Sequence, residues 1–306
     1  MKPADMFANS VAVGIAKART KWSHVLVLSF QAGVYLSIAF VATLYAIAGL
    51  TDFPPAIGRL LGALIFPFGL LLIAVAGGDL LTGNFLFLST AVLARRVTPR
   101  NACVNWGIVA LGNLLGCLFI AFLFGLGGEH FTAGGEPLAV VLRVAREKID
   151  RRFTTNLIRG IGCNILVGAA CYCAAAAETA AGKAAAIWPL ITTMVFISQE
   201  HIVVDFFAEP LGLVCGLDAS VVDVVFRSWL PVTMGNFIGA QVLAIPYWYV
   251  YSENDTAASA LLYADLDSKK NADTPGLPVH QAGRTGNSHK ESVSTGAAEW
   301  NAAETG

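Results

Sequence analysis

The stretch FISQEHIVVDFFAEP, residues 196–210, overlaps the end of the charge-free run 184–199 and places Glu200, His201 and Asp205 in apolar surroundings. On the surface of a soluble protein such a segment is ordinary. Inside a membrane each ionised side chain costs roughly 2.5–3.5 kcal/mol on insertion scales, so it persists only where structure or function holds it. Composition selects the second setting. Of 306 residues, 56% are hydrophobic and 13% charged, and the mean hydropathy is +0.63, well outside the averages of soluble domains.

Uncharged runs cover 25–50, 60–78, 80–94, 101–128, 160–177, 184–199 and 228–252. Several are long enough to cross a hydrocarbon layer of roughly 30 Å as helices. Counting 60–94 as one crossing interrupted at Asp79, and 184–208 as one interrupted at Glu200, His201 and Asp205, predicts an all-α membrane protein of six spans. Residues 1–23 read as an amphipathic N-terminal segment, either on the headgroups with Lys17, Arg19 and Lys21 or as a solvated leader. The spans occupy 24–252. Residues 253–306 are rich in Ser, Asn, Asp, Lys, Gly and Thr and read as a disordered cytoplasmic tail.

The six cysteines lack metal-ligand spacing and read as small core residues, with no metal or cofactor expected. A net charge of −1 points to no nucleic-acid partner. With both termini on one side, eight Lys and Arg fall there against seven opposite, a bias too small to orient the chain.

The chain repeats itself. GNLLGCL at 112–118 is answered by GNFIGAQ at 235–241, spacing that lets helices approach closely. Upstream of each lies an acidic interruption, Asp79 in AGGDLLTGN and Glu200 in SQEHIVVD, and further upstream a lysine, Lys17 and Lys148. Two copies of three spans, about 10–130 and 140–252, must cross in opposite senses, which makes an inverted repeat with two broken helices. Broken ends offer free N–H groups and positive dipole ends to an anion. Gly77 and Gly78 open the first break, Thr82 is a cap or ligand, and Pro210 and Gly212 punctuate the matching region. Asp79 and Glu200 read as support for the exposed backbone of these loops.

Enzyme chemistry has little basis here. Ser198, His201 and Asp205 carry the residue types of a hydrolytic triad, but three positions on one helix seldom reach the needed mutual geometry, and no Gly-x-Ser-x-Gly elbow is present.

AGGDLLTGN, GIGCNILVGAA at 160–170, EHIVVD and LPVTMGNFIGA at 230–240 together resemble the formate/nitrite transporters. The resemblance covers about residues 10–252 and is nearest in flavour to protist members that move lactate with protons. It implies an aquaporin-like six-span protomer in a homopentamer, one pore per protomer, both termini cytoplasmic, most simply in the plasma membrane. It implies His201 as the central pore histidine, Thr82 as the loop threonine facing it and Asn164 as the asparagine of the second signature. Lys17 and Lys148 become vestibule lysines. Phe66, Leu70 and Met194 fall at an inner apolar constriction, and Leu81 and Val167 at an outer one. Where the family usually has Phe, Cys and Ala-Asn, this chain has Leu81, Gly168 and Val204-Asp205. The implied function is proton-coupled transport of L-lactate, formate, acetate or pyruvate, the neutral acid passing an apolar pore; the alternative is an anion channel whose histidine stays protonated.

Overall fold

The computed structural model describes residues 1–50 and 53–252, and the segment read as a disordered tail lies outside them. Every regular element among the described residues is helical. In chain order they are α1 (Pro3–Arg19), α2 (Trp22–Ala48), α3 (Pro55–Ile65), α4 (Pro67–Ala76), α5 (Leu81–Leu93), α6 (Pro99–Phe122), α7 (Gly135–Asp150), α8 (Phe153–Ala176), α9 (Ala180–Phe196), α10 (Ile202–Val214), the one-turn α11 (Val221–Asp223) and α12 (Leu230–Tyr251). A π-helical turn extends α6 over Leu123–Gly127, and another leads into α12 over Val224–Trp229.

Local chemistry explains the boundaries. Pro3, Pro55, Pro67 and Pro99 open helices, where a missing N–H costs nothing. The hydroxyls of Thr98 and Thr179 cap α6 and α9, accepting from Asn101 N at 3.2 Å and Gly182 N at 3.0 Å. Four stretches are long and apolar enough to cross a membrane: Trp22–Ala48, Pro55–Ala76, Pro99–Gly127 and Phe153–Ala176. Leu81–Leu93 and Ala180–Phe196 are shorter apolar helices. Large apolar side chains such as Leu111, Phe119, Val242 and Ile245 are exposed on the protomer, as expected of a surface that meets lipid or a sister chain.

The two interruptions are real, and the same polar device holds each. At the first, Gly77 turns the chain at φ 89°, and Asn113 of α6 accepts from Leu81 N at 3.0 Å while donating to Asp79 O at 2.9 Å and Ser29 O at 2.7 Å. At the second, Ser198 takes φ 56°, and Asn236 of α12 accepts from Ile202 N at 3.0 Å while donating to Glu200 O at 3.0 Å and Gly160 O at 2.8 Å. Asp79 N bonds Leu28 O and Glu200 N bonds Arg159 O in the same fashion. Away from water these backbone groups need such partners, because each one left unpaired in hydrocarbon costs several kcal/mol. The second break therefore spans 197–201 rather than the region of Pro210 and Gly212. Both of those lie inside α10, since Asn236 and the left-handed Ser198 stop the chain earlier.

Helix pairs repeat as well: α2 packs on α6 and α8 on α12, while α5 lies against α12 and α10 against α6, each half-helix on the other half of the chain. Glycines permit this. A Cβ on Gly116 would stand 2.1 Å from Phe30 O, and one on Gly235 2.3 Å from Leu157 O. Helix α1 spends its apolar face on protein, with Phe7, Val11, Ala12 and Ile15 clustered with Ala91 and with Trp248 and Tyr251 at the end of α12. It is docked on the bundle rather than solvated on all sides, and it lies beside the end of the last helix.

Candidate functional site

Cavities open into the bundle, and two of them carry the residues of interest. One, of about 590 Å³, is lined by Lys148, Glu200, His201, Phe66, Met194 and the arginines 59, 143 and 151, among others. The other, of about 290 Å³, is lined by Lys17, Lys183, Leu70, Gly77, Gly78 and Gly83, among others. Leu81, Thr82, Asn164 and Val167 border neither and are at most 2% exposed.

His201 is the last residue before α10 and lies in the large cavity, 3% exposed. Its Nδ1 accepts from Val204 N at 3.4 Å, capping the half-helix, and its Nε2 lies 2.9 Å from Thr82 Oγ1 at the start of the other half-helix. With Nδ1 accepting, the network assigns the ring proton to Nε2, which donates to Thr82. The two helix breaks thus meet through one hydrogen bond. Asn164 of α8 backs this contact, donating to Thr82 O at 3.2 Å and Asn236 O at 2.7 Å, while its Oδ1 meets no partner among the described residues.

The lysine expected at each vestibule lines one of the cavities and is tied to the carboxylate of its own break. Lys17 pairs with Asp79 and Lys148 with Glu200. The second cluster is denser: Lys148 also reaches Asp205 at 2.6 Å, and Arg151 pairs with Glu200. Lys148 lies in α7, outside the spanning helices. Burial opposes its charge, and Asp205 and Glu200 outweigh burial, so the ammonium is held above the ordinary lysine value. Arg151, the residue just after α7, thus belongs to this cluster. Asp205 turns to Lys148, so the residue types of a triad at 198, 201 and 205 form no triad.

Phe66, Leu70 and Met194, expected at one inner constriction, are divided between the cavities. Phe66 and Met194 lie with Lys148, and Leu70 with Lys17. Four residues of helix separate Phe66 from Leu70, about 6 Å along the axis, enough to pass from one cavity to the other. Leu81 and Val167, expected at the outer constriction, are buried and line neither cavity.

Sequence reasoning missed Lys183, whose Nζ donates to Ala74 O at 3.0 Å in the small cavity, and the role of Asn113 and Asn236. The signal for the asparagines was present in the repeated Gly-Asn, read there only for its glycine. Lys183 had no comparable mark, because a single lysine near a helix start is ordinary.

A sequence profile described as formate/nitrite transporter matches residues 4–249. The chain is 31% identical over 273 residues to the formate channel FocA of Escherichia coli (strain K12), covering 83% of this chain and 95% of that one. Among solved structures, it resembles an FNT family ion channel with TM-score 0.74 at 25% identity, covering 80% of this chain and 98% of the other. It also resembles a pentameric formate channel with formate bound, with TM-score 0.65 at 25% identity, covering 75% and 97%. These relatives are transporters and channels, not enzymes, and with a family profile spanning most of its length this chain belongs to the formate/nitrite transporter family.

Proposed function

We propose that the protein carries small monocarboxylates, L-lactate and formate foremost and acetate or pyruvate with them, across a membrane together with protons. The observation that carries this reading is the Thr82–His201 contact, buried between two cavities that each bear a lysine. A carboxylate meets a large desolvation cost in the apolar stretch around Phe66, Met194, Leu70, Leu81 and Val167, whereas the neutral acid does not. Cationic side chains draw the anion into a vestibule. The region of His201, Thr82 and Asn164 then delivers a proton, directly or through water, and the proton leaves on the far side.

In this proposal the protomer has six spans in two inverted three-span repeats, Gly77, Gly78, Asp79 and Glu200 support the breaks, and five protomers assemble in a plasma membrane with both termini cytoplasmic. The two equivalent asparagine clamps support the repeat, and the docking of α1 beside the end of α12 supports termini on one side. The pentameric formate channel among the relatives supports the assembly. The finer likeness to lactate-carrying protist members belongs to the same proposal.

A second reading, an anion channel with a protonated His201, is favoured by the names of the formate channels. The hydrogen bonding favours the first: a doubly protonated ring has no acceptor for Val204 N–H, and its charge would face the positive end of α10. Uptake of labelled L-lactate and formate into proteoliposomes, with the voltage clamped, decides between them. Uptake that follows the proton gradient and ignores voltage is the expected result. Uptake that follows voltage sinks the symport reading, and no uptake of either acid sinks the substrate class.

A further inference from the structure

Behind Lys148 lies a carboxyl group that neither the family likeness nor the transport proposal uses. Glu209 follows Asp205 by one helical turn on α10, and both side chains are 0% exposed. The ion pairs of this region go to Glu200 and Asp205; among the described residues Glu209 has no ion pair, and neither of its oxygens has a partner at hydrogen-bond geometry. Asp205 Oδ2, Ser228 Oγ and Trp229 Nε1 are likewise buried and unpartnered. Asp205 acts electrostatically on Glu209 and the Ser228 hydroxyl lies within its reach as a donor, so the unpartnered oxygens of Asp205 and Ser228 are neighbours of this carboxyl group.

An ionised carboxylate in that position would have no cation in direct contact, and groups so buried tend to neutralise instead. A carboxylic acid also meets the need of its neighbour: its O–H is a donor, and Asp205 Oδ2 is an unpartnered acceptor one turn away. We propose that Glu209 together with Asp205 is a second proton-binding site, one proton held by two carboxyl groups, separate from His201. The charged and titratable groups around it are Lys148 of α7, Arg151 and Glu200 beside it, Cys163 of α8, and Cys117 of α6, which packs on α10 at Val203 O. While the proton is bound, Lys148 is shared by Glu200 and Asp205 alone. Once it leaves, a further negative charge stands beside Lys148, and the vestibule attracts a carboxylate less strongly. The role in transport rests on the reading proposed above; occupancy by a proton does not.

Infrared spectra of the purified full-length protein in lipid, in H2O and D2O and across pH, test the occupancy directly. The wild type is expected to show the carbonyl stretch of a buried carboxylic acid that moves on deuteration. E209Q is expected to lose it, and D205N to shift its frequency because the O–H loses its acceptor. A wild type without the band, or a band that survives in E209Q, overturns the proposal. So does a thermal stabilisation by sodium or potassium chloride, against choline chloride, in the wild type but not in E209Q, which would make this a cation site. Should E209Q fail to fold, an unshifted band in D205N overturns the shared proton. Uptake on the same preparations separates the two proposals. With the pH difference across the membrane held constant, the wild type is expected to lose several-fold more uptake toward alkaline pH than E209Q does, and equal losses overturn the role of Glu209 in transport; the band present without any uptake of either acid refutes the transport reading and leaves the proton site standing.

Discussion

At the residue scale, His201 and Asn236 show how one side chain serves a break and a site together. His201 caps α10 with Nδ1 and reaches Thr82 with Nε2, so H201F removes both. Proton-driven uptake by H201F is expected to fall to background at normal expression, and wild-type flux would remove the histidine from the mechanism. N236L leaves Ile202 N, Glu200 O and Gly160 O without their side-chain partner, at about 1–3 kcal/mol for each buried group left unpaired. Its thermal midpoint in detergent is expected to drop by many degrees, and an unchanged midpoint would show that the clamp is dispensable. K148M strips Asp205 of its cation and leaves Glu200 to its arginines, a loss of about 3–5 kcal/mol by the usual cost of breaking a buried pair. Adding D205N should recover part of that loss; a double variant no more stable than K148M would place the charge imbalance elsewhere.

At the element scale, the glycine rows set how close the helices come. Both Gly116 and Gly235 face backbone oxygens that cannot swing aside. G116A and G235A are therefore expected to lower the thermal midpoint, each by forcing its helix pair apart. Gly107, on the same α6, has nothing within 4 Å of an added Cβ, and G107A should be neutral or gain up to about 1 kcal/mol in helix propensity. Equal losses at 107 and 116 would show that close approach is not the cause. The lengths of the uncharged runs foretold the long apolar helices, and the positions of Asp79 and Glu200 foretold that two helices break. The end of the second break was misread because Pro210 and Gly212 are strong local signals, yet tertiary hydrogen bonds from Asn236 start the helix earlier. The split of Phe66 from Leu70 was also invisible, since both lie in one apolar run and only the position of the break between the cavities gives them different surroundings.

At the scale of the whole molecule, exposed side chains such as Phe119 and Ile245 require lipid or further copies of the chain to cover them. Native mass spectrometry of the detergent-solubilised protein is expected to show five copies; a monomer alone, at concentrations where transport persists, would remove the pentamer from the proposal. The two halves use matched lysine–carboxylate pairs but unequal surroundings, with Asp205, Arg151 and Glu209 present only around Lys148. Replacing Lys148 is therefore expected to disturb stability more than replacing Lys17, which pairs with a single carboxylate in a partly exposed position. Thermal midpoints of K17M and K148M check this, and a larger drop for K17M would reverse it.

The sequence by itself determined what composition and local pattern can carry: a helical membrane protein, a duplicated order of lysine, acidic break and Gly-Asn helix, and Glu200 and His201 as ionisable groups at the second break. Such features need only hydrophobicity, periodicity and the cost of charge in hydrocarbon. Only the tertiary structure decided which groups meet. The Thr82–His201 contact, the Asn113 and Asn236 clamps, the turn of Asp205 toward Lys148 and the isolation of Glu209 join residues up to 119 positions apart, and hydrogen bonds and ion pairs over such separations exist only once the helices are packed.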